Sequence, residues 1–226
     1  MNGMIVSGPA ANDLSKQTLA SGSNSHDSDR SAPLEPLLAE IRAYSIKDAV
    51  KSVSHAEGAA GAKPAVTEAP SEPAPLVALL DFGAKANIRR ELEKRGCRVS
   101  VLPYNTSAEE ILRLQPDGIM LSNGPGDPAE NVAVIEEIRK LCQSGIPLFG
   151  ICLGHQMLAL ARGARTSKLA YGHRGGNHPV KETASGRVYI TSQNHGYAVE
   201  ADSLPPSAAM SFVNANDGTC EGVTYR

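Results

Sequence analysis

A cysteine between two glycines carries the clearest chemical signal in the sequence. Residues 149–156 read FGICLGHQ, so Cys152 has one glycine two positions before it and another two positions after it. This G-x-C-x-G spacing is typical of a nucleophile elbow, a tight strand-to-helix turn whose strained geometry excludes larger neighbours. The N-terminus of the following helix would favour the thiolate and direct the Leu153 N–H at a developing oxyanion. The alternative is a buried structural cysteine, but the flanking strand and helix patterns favour a nucleophile.

A second turn, earlier in the chain, exposes several backbone amides. Residues 122–128 read SNGPGDP, and they also follow an apolar run and precede a helical pattern. Two glycines and two prolines close together predict a rigid loop that can hold an oxyanion or a substrate. Such loops are common in α/β proteins, and this one gains weight from its position before the cysteine turn. We interpret it as the second wall of the same site.

Alternating apolar runs and helical patterns from residue 76 onward predict the scaffold that positions both turns. Continuous apolar runs suit strands that are buried on both faces of a parallel sheet. The expected strands lie at residues 76–80, 98–102, 118–122 and 147–151. Segments of helical pattern separate these strands, as in βαβ units. The sequence therefore predicts an α/β fold with a central, mostly parallel sheet, whose carboxyl edge is where such proteins bind ligands.

Local patterns also predict where helices begin and where the architecture changes. Thr106 or Ser107 is expected to cap the second helix of the α/β region. Pro128 is expected to open the next helix, with inward-facing apolar residues at positions 132, 134, 135 and 138. After residue 164 the pattern becomes β-rich, and residues 187–191 form its clearest strand.

Residues 1–75 differ in composition from the rest of the chain. They are rich in Ala, Ser, Pro and Gly, and Tyr44 is their single aromatic residue. Such a segment buries too little apolar surface to offset its ordering entropy. Within it, residues 4–6 suit a short strand, residues 34–41 carry a helical stripe, and residues 56–75 are typical of a linker. We therefore divide the chain into a largely loose segment at 1–75 and an α/β domain at 76–226.

The composition excludes several classes of protein. The 226 residues include 22 Lys and Arg against 24 Asp and Glu, which gives no electrostatic reason to bind nucleic acid or an anionic membrane. No apolar run approaches the roughly 20 residues that cross a bilayer, and the first residues lack the pattern of a signal peptide. Four scattered cysteines do not suit a secreted disulfide framework. We expect a cytoplasmic protein.

The two turns together resemble the class I (triad) glutamine amidotransferases. Two later stretches narrow the resemblance: GHRGGNHPV at residues 172–180 and TSQNHGYAV at residues 191–199. They are similar to the small (glutaminase) subunits of glutamine-hydrolysing carbamoyl-phosphate synthases, as is DFGAKANI at residues 81–88. The sister amidotransferases for GMP, anthranilate or CTP synthesis differ at 172–180. The resemblance covers residues 76–226 and implies a flavodoxin-like, three-layer α/β domain that is incomplete at its C-terminus.

The resemblance also implies a role for each matching residue. Cys152 would attack the carboxamide carbon of L-glutamine and form a glutamyl thioester. The backbone amides of Leu153 and Gly124 would form the oxyanion hole. The residues implied to hold the glutamine lie on the two turns, on the helix after Cys152 and in the later β-rich region: Gly124, Gly126, Leu153, Gln156, Asn194, Gly196 and Tyr197.

A large partner protein follows from the same resemblance. The released ammonia would pass to a large synthetase subunit, in a heterodimer or a larger assembly. That subunit would make carbamoyl phosphate from bicarbonate and ATP, for arginine and pyrimidine biosynthesis. ATP and Mg²⁺ would bind to the large subunit, so we expect no cofactor and no metal on this chain.

The resemblance does not extend to the base that a thiol nucleophile needs. In the family, a histidine and a glutamate of an H-P-E stretch supply the base and its orienting partner, after the strand that would follow Tyr225, and nothing in this sequence matches them. Only residues 2–6 are similar to the N-terminal domain of the small subunits. We therefore expect a fragment without triad base or acid, inactive alone. The strand around Val223 is expected to lack its hairpin partner and to leave an open edge.

Two other functions stay open at this point. The chain could be another class I amidotransferase subunit, although the sequence at residues 172–180 argues against it. It could also be a non-catalytic module that binds glutamine or a partner subunit, because the triad histidine and glutamate are absent.

The remaining histidines receive structural interpretations. His173 and His178 could suggest zinc together with Cys220, but no C-x-x-C pair supports such a site, so we expect structural histidines. We interpret His155 as a packed helix residue, and His195 as part of the glutamine-pocket stretch rather than as a base.

Overall fold

The computed structural model describes residues 34–44, 47–54 and 74–226. The strand expected at residues 4–6 and most of the linker expected at residues 56–75 lie outside the described residues. The chain divides into two compact units, residues 1–45 and 46–226. In the first unit, the expected helix is present as α1, Leu34–Ala43.

Four parallel strands form the central sheet of the second unit, as the apolar runs predict. They are β1, Leu76–Asp81; β2, Arg98–Pro103; β3, Gly118–Leu121; and β4, Leu148–Gly150. The order across the sheet is β2-β1-β3-β4, and every pairing within it is parallel. Because β3 and β4 are neighbours, the loops that follow them lie side by side at the carboxyl edge of the sheet. These loops are the two turns that the sequence singles out.

Helices connect and cover the strands. They are α2, Ala49–Val53; α3, Ala86–Lys94; α4, Ala108–Arg113; α5, Val132–Leu141; and α6, Leu153–Ala161. Ser107 caps α4 as expected: its hydroxyl accepts a hydrogen bond from the Glu110 N–H, and the Glu110 carboxylate accepts one from the Ser107 N–H. In the described part of the chain, no helix is long and apolar enough to cross a membrane.

The helix expected after Pro128 begins later than the sequence predicts. Pro128–Glu130 forms a 3₁₀ turn, and α5 follows from Val132. Val134, Ile135 and Ile138 are buried, but Val132 is 63% exposed, so the expectation that it faces inward is wrong. The reason is that the 3₁₀ turn places Val132 at the first position of α5, before the buried face of the helix begins.

An apolar core lies between the sheet and its helices. The sheet contributes Ala78, Leu80, Ile119 and Leu121, and the helices contribute residues such as Ile111, Ile138, Leu141, Leu153 and Met157. Burial of each large side chain stabilises the fold by about 1.5–3 kcal/mol relative to exposure. Leu148 of β4 and Leu153 of α6 both pack in this core, so the segments on either side of Cys152 are both anchored to it.

The β-rich region after residue 164 forms a closed barrel. Its strands are β5, Thr166–Glu182; β6, Val188–Val199; β7, Ala208–Asn214; and β8, Cys220–Tyr225, in the order β5-β6-β8-β7. β8 pairs along most of its length with β7, and Val223 lies opposite Met210. On its other side β8 pairs with β6 only where Cys220 lies opposite Val199, so among the described residues the edge beside Val223 has no strand partner, as expected.

Helix α2 was not anticipated by the sequence. Val50 is 3% exposed and belongs to the apolar core of the α/β region. Ala49 lies directly beneath the loop after β3, because a Cβ added to Gly126 would stand 2.9 Å from the Ala49 Cβ. This short helix therefore supports the loop that forms one wall of the site.

Candidate active site

Cys152 occupies the turn between β4 and α6 in a strained backbone conformation. Its φ and ψ are 52° and −107°, values that non-glycine residues rarely adopt. This geometry is the one expected for a nucleophile held on a sharp strand-to-helix turn. Strain of this kind is retained when the surrounding structure enforces it, and it marks functional positions.

Close backbone contacts leave room only for glycine at the two positions around Cys152. A Cβ added to Gly150 would lie 2.6 Å from the Gly154 carbonyl carbon and from the His155 nitrogen. A Cβ added to Gly154 would lie 2.3 Å from the Leu121 carbonyl oxygen at the end of β3. Larger residues at either position would push the first turn of α6 away from the sheet. The G-x-C-x-G spacing thus has the steric origin that the sequence predicts.

The loop after β3 is tied to the loop after β1 by hydrogen bonds. The Ser122 hydroxyl accepts from the Phe82 N–H at 2.9 Å, and the Asn123 side-chain oxygen accepts from the Lys85 N–H at 3.0 Å. The Asn123 amide donates in return to the Gly83 carbonyl. The Gly154 N–H donates to the Ser122 carbonyl at 3.1 Å, which joins this loop to the cysteine turn.

Gly124 and Leu153, the two residues expected to supply oxyanion amides, lie next to each other. A Cβ added to Gly124 would stand 2.7 Å from a methyl carbon of Leu153 and 2.3 Å from the Phe82 carbonyl oxygen. Only glycine therefore lets the loop approach the cysteine turn this closely. The Leu153 N–H also lies close enough to the Cys152 thiol to lower its pKa. Both amides accordingly belong to one small region around the thiol.

Gln156 and Tyr197, expected to hold the substrate, are in direct contact. Gln156 is 6% exposed on α6, and its Nε2 donates to the Tyr197 carbonyl at 2.7 Å. Burial and the neighbouring Asp127 carboxylate raise the pKa of Tyr197, so its side chain lies close to the loop after β3. The structure thus brings together one residue from each of three elements: the loop after β3, helix α6 and strand β6.

The other two expected pocket residues lie on the same stretch of β6. Asn194 is exposed, and it lies opposite Arg174 on the neighbouring strand β5. A Cβ added to Gly196 would stand 3.7 Å from an Arg174 guanidinium nitrogen. Arg174 therefore lies beside both residues, although the sequence did not assign it to the pocket.

The family model for the class I glutamine amidotransferases matches residues 78–226. The chain belongs to this family. The match includes the cysteine turn, the loop after β3 and the whole barrel.

Curated relatives narrow the comparison for this amidotransferase. A carbamoyl phosphate synthase small chain from Symbiobacterium thermophilum is 53% identical over 189 residues, which cover 82% of this chain and 49% of the relative. A protein of the same name from Listeria monocytogenes is 59% identical over 151 residues, covering 66% of this chain and 41% of the relative. The amidotransferase thus spans about half the length of the curated relatives it matches.

Solved structures support the fold. A putative GMP synthase protein from Thermoplasma acidophilum superposes with a TM-score of 0.59 at 21% identity, over 69% of this chain and 80% of that one. A glutamine amidotransferase from Thermotoga maritima superposes with a TM-score of 0.54 at 18% identity, over 68% of this chain and 73% of that one. The amidotransferase therefore has the expected flavodoxin-like α/β fold around its central parallel sheet.

The surroundings of Cys152 raise the pKa of its thiol above the usual value. Burial raises its pKa, and the Leu153 N–H and the Lys85 charge oppose that rise without cancelling it. The Glu221 carboxylate adds to the rise. As expected, the Leu153 N–H at the start of α6 lowers the pKa of the thiol and so favours the thiolate. The burial of the thiol raises this pKa by more, and the net shift is upward.

The reactivity of Cys152 is expected to depend on pH in a way that follows from this raised pKa. Since the folded pKa lies above that of an exposed cysteine, less thiolate is present at neutral pH, and alkylation should be slower. The rate of iodoacetamide modification at Cys152, measured by mass spectrometry across the neutral to alkaline range, should reach half its maximum at a higher pH than in the urea-unfolded chain. A lower midpoint in the folded chain would contradict this assignment.

The link between α6 and β6 is expected to stabilise the amidotransferase. Replacing Gln156 with leucine removes the donor to the Tyr197 carbonyl, so the free energy of unfolding should fall by about 1 kcal/mol. Urea unfolding measures this change. Gln143→Leu is the matched control, because Gln143 is exposed and its loss should have little effect. Equal effects of the two substitutions would show that the buried hydrogen bond does not stabilise the fold.

A cluster of histidines and acids lies on the barrel, and sequence analysis did not find it. The Glu221 carboxylate on β8 contacts His173 at 3.0 Å and His195 at 3.4 Å. Burial opposes the charge of His195, but the Glu221 carboxylate and the Tyr197 carbonyl outweigh it and raise the pKa of this ring. The sequence suggests His173 only as part of a set with His178 and Cys220, and no motif indicates that His195 and Glu221 are its neighbours.

His155 lies on α6, three residues after Cys152, but it does not serve the thiol. Its Nε2 is buried without a hydrogen-bond partner, and burial lowers its pKa. Within residues 34–44, 47–54 and 74–226, no histidine ring forms a hydrogen bond with the Cys152 sulfur. The geometry therefore places Gly124 and Leu153 beside the Cys152 turn, and among the described residues no histidine ring contacts the thiol.

Proposed function

We propose that this chain is the glutaminase part of a carbamoyl-phosphate synthase small subunit. In this proposal Cys152 attacks L-glutamine, and the ammonia passes to a large synthetase subunit that makes carbamoyl phosphate from bicarbonate and ATP. The observation that carries the proposal is the strained conformation of Cys152, at the edge where Gly124, Leu153 and Gln156 meet. The names of the curated relatives support the choice of synthase.

The proposed reaction has two steps. The Cys152 sulfur adds to the carboxamide carbon of glutamine, and the carbonyl oxygen becomes an oxyanion that the Gly124 and Leu153 N–H groups stabilise. Collapse of this intermediate breaks the C–N bond, and the leaving nitrogen takes the proton that the Cys152 thiol gave up and departs as ammonia, leaving a glutamyl thioester. Water then attacks the thioester, which releases glutamate and restores the thiol.

The pocket residues have distinct proposed roles. Gln156, Asn194, Gly196 and Tyr197 hold the α-amino and α-carboxylate ends of the glutamine, while Gly126 shapes the loop after β3. ATP and Mg²⁺ belong to the large subunit in this proposal. The complex works in the cytoplasm and supplies arginine and pyrimidine biosynthesis.

A second candidate is a module that binds glutamine or the large subunit without turning glutamine over. The raised pKa of Cys152 and the absence of a contacting histidine among the described residues favour it for this chain alone. The two candidates differ in turnover, so ammonia release from L-glutamine separates them. Release at the background rate supports the binding module, and rapid release supports hydrolysis by this chain.

An electrophilic glutamine analogue tests the pocket itself. The chain is incubated with 6-diazo-5-oxo-L-norleucine, and the adduct is mapped by mass spectrometry. Labelling at Cys152 that free L-glutamine suppresses supports a formed glutamine site. Labelling spread evenly over all four cysteines, or unaffected by L-glutamine, would rule the pocket out.

A further inference from the structure

Two imidazole rings and one carboxylate converge where three strands of the barrel meet. His173 on β5, His195 on β6 and Glu221 on β8 each place one ligand atom within 4.8 Å of the other two. Their side chains are only 10%, 12% and 9% exposed, respectively. Buried polar groups of this kind must be paired or coordinate a metal ion.

The partners of His173 leave one lone pair directed at a carboxylate. Its Nε2 lies 2.8 Å from Asp217, and its Nδ1 lies 3.0 Å from Glu221, so both ring nitrogens face carboxylate oxygens. A neutral imidazole carries one N–H, which can satisfy only one of them. With that N–H donated to Asp217, the closer partner, the Nδ1 lone pair faces the Glu221 oxygen at 3.0 Å, and the Asn214 amide lies farther away at 3.4 Å.

The partners of His195 also leave one ring nitrogen with its lone pair directed at an acceptor. Its Nδ1 lies 2.9 Å from the Tyr197 carbonyl, which can only accept, so this nitrogen carries the hydrogen. Its Nε2 then presents a lone pair to the Gln193 side-chain oxygen at 3.3 Å and to the second Glu221 oxygen at 3.4 Å. With neutral rings, two lone pairs are directed at one carboxylate, and either a second proton on each ring or a bound cation between them resolves both contacts.

We propose that His173, His195 and Glu221 bind a Zn²⁺ ion. Two imidazole nitrogens and a carboxylate are a ligand set that zinc adopts, with a fourth position left for water. This differs from the set considered in the sequence, which included His178 and Cys220. The ion would join β5, β6 and β8, which are distant in sequence.

The surroundings of the three ligands match those of metal sites. Histidine ligands normally donate their second N–H to a carboxylate or a backbone carbonyl, which fixes the ring orientation. The Asp217 carboxylate accepts this hydrogen bond from His173, and the Tyr197 carbonyl accepts it from His195. The Asn214 amide donates to the Glu221 carboxylate at 3.1 Å and holds the third ligand.

Zinc binding to the purified chain tests the proposal. Equilibrium dialysis against ZnCl₂ at neutral pH should leave one bound zinc per chain, measured by elemental analysis, and zinc should raise the thermal unfolding midpoint. Co²⁺ in place of zinc should give a visible spectrum without a thiolate-to-cobalt charge-transfer band. No stoichiometric binding, or a thiolate band from the bound ion, would overturn the proposal.

Variants locate the ion. Glu221→Gln and His173→Asn should abolish the bound equivalent, while Cys152→Ser and Cys220→Ser should retain it. Asp217→Asn keeps all three ligands and changes an exposed residue, so it should fold normally and weaken zinc binding by about 10–100-fold. Circular dichroism verifies the fold of each variant. Unchanged affinity in Asp217→Asn, or loss of zinc in the cysteine variants, would place the ion elsewhere.

Discussion

Replacement of Cys152 with alanine will abolish covalent labelling of the chain by the glutamine analogue. The alanine side chain has no nucleophilic atom, so neither the adduct nor the glutamyl thioester can form. The expected change is from one adduct per chain to none. Because only one sulfur atom is removed from a half-buried position, the free energy of unfolding should change by less than about 1 kcal/mol. Mass spectrometry of the intact chain measures the adduct.

A second cysteine provides the matched control for this experiment. Cys142 is also half-buried, and burial raises the pKa of its thiol as it does for Cys152. It lies at the end of α5, away from the loop after β3, and Cys142→Ala should therefore keep full labelling. An adduct that persists in Cys152→Ala, or that disappears in Cys142→Ala, would mean that the reactive thiol has been misassigned.

The cysteine turn could be predicted from sequence because its constraints are local. The glycines at positions 150 and 154 reflect contacts that any strand-to-helix turn of this sharpness makes, so their spacing alone indicates the strained Cys152. The Ser107 cap of α4 is local in the same sense. Apolar runs likewise predict the four parallel strands, because strands covered on both faces need no alternation of polar residues.

The features that could not be predicted from the sequence depend on contacts between residues that are far apart along the chain. The pKa of Cys152 is decided by burial, which no short motif encodes, although the motif does indicate the Leu153 N–H. The cluster of His173, His195 and Glu221 depends on strand pairing with irregular register: β5 and β6 shift between Lys168 and His173. Since a bulge changes which face a side chain takes, residue spacing along β5 does not predict these neighbours.

Two smaller deviations have similar causes. Val132 is exposed because the 3₁₀ turn at Pro128–Glu130 delays the start of α5. Helix α2 has only five residues, too few to display a helical period, and it is held by tertiary contact with the loop that contains Gly126. In both cases the outcome is set by how the element packs, and local propensity is a weak guide to that.

Substitution of Gly154 with alanine will damage the site without touching any group that reacts. The added Cβ would stand 2.3 Å from the Leu121 carbonyl oxygen and 2.6 Å from its carbon, both backbone atoms of the central sheet. Neither can move aside as a flexible side chain would, so α6 must shift away from β3. That shift carries Cys152 and the Leu153 N–H out of position. The Gly154 N–H bond to the Ser122 carbonyl is disturbed as well.

The expected effects of Gly154→Ala are large in both stability and labelling. Overpacking of this kind costs about 1–3 kcal/mol of unfolding free energy, and a displacement near 1 Å slows a reaction by about 100-fold. Urea unfolding and the rate of analogue labelling at Cys152 measure the two effects. Gly176→Ala is the control, because a Cβ there meets nothing within 4 Å, and both quantities should stay unchanged.

The comparison of these two glycines separates the oxyanion geometry from general stability. If Gly154→Ala lost stability but labelled at the normal rate, the reactivity of the thiol would not depend on the close contact between α6 and β3. If it labelled slowly while still folded at the assay temperature, the position of the thiol and the Leu153 amide would limit the reaction. The contact between Gly154 and Leu121 predicts the second result, because the same turn that would clash also carries both reacting groups.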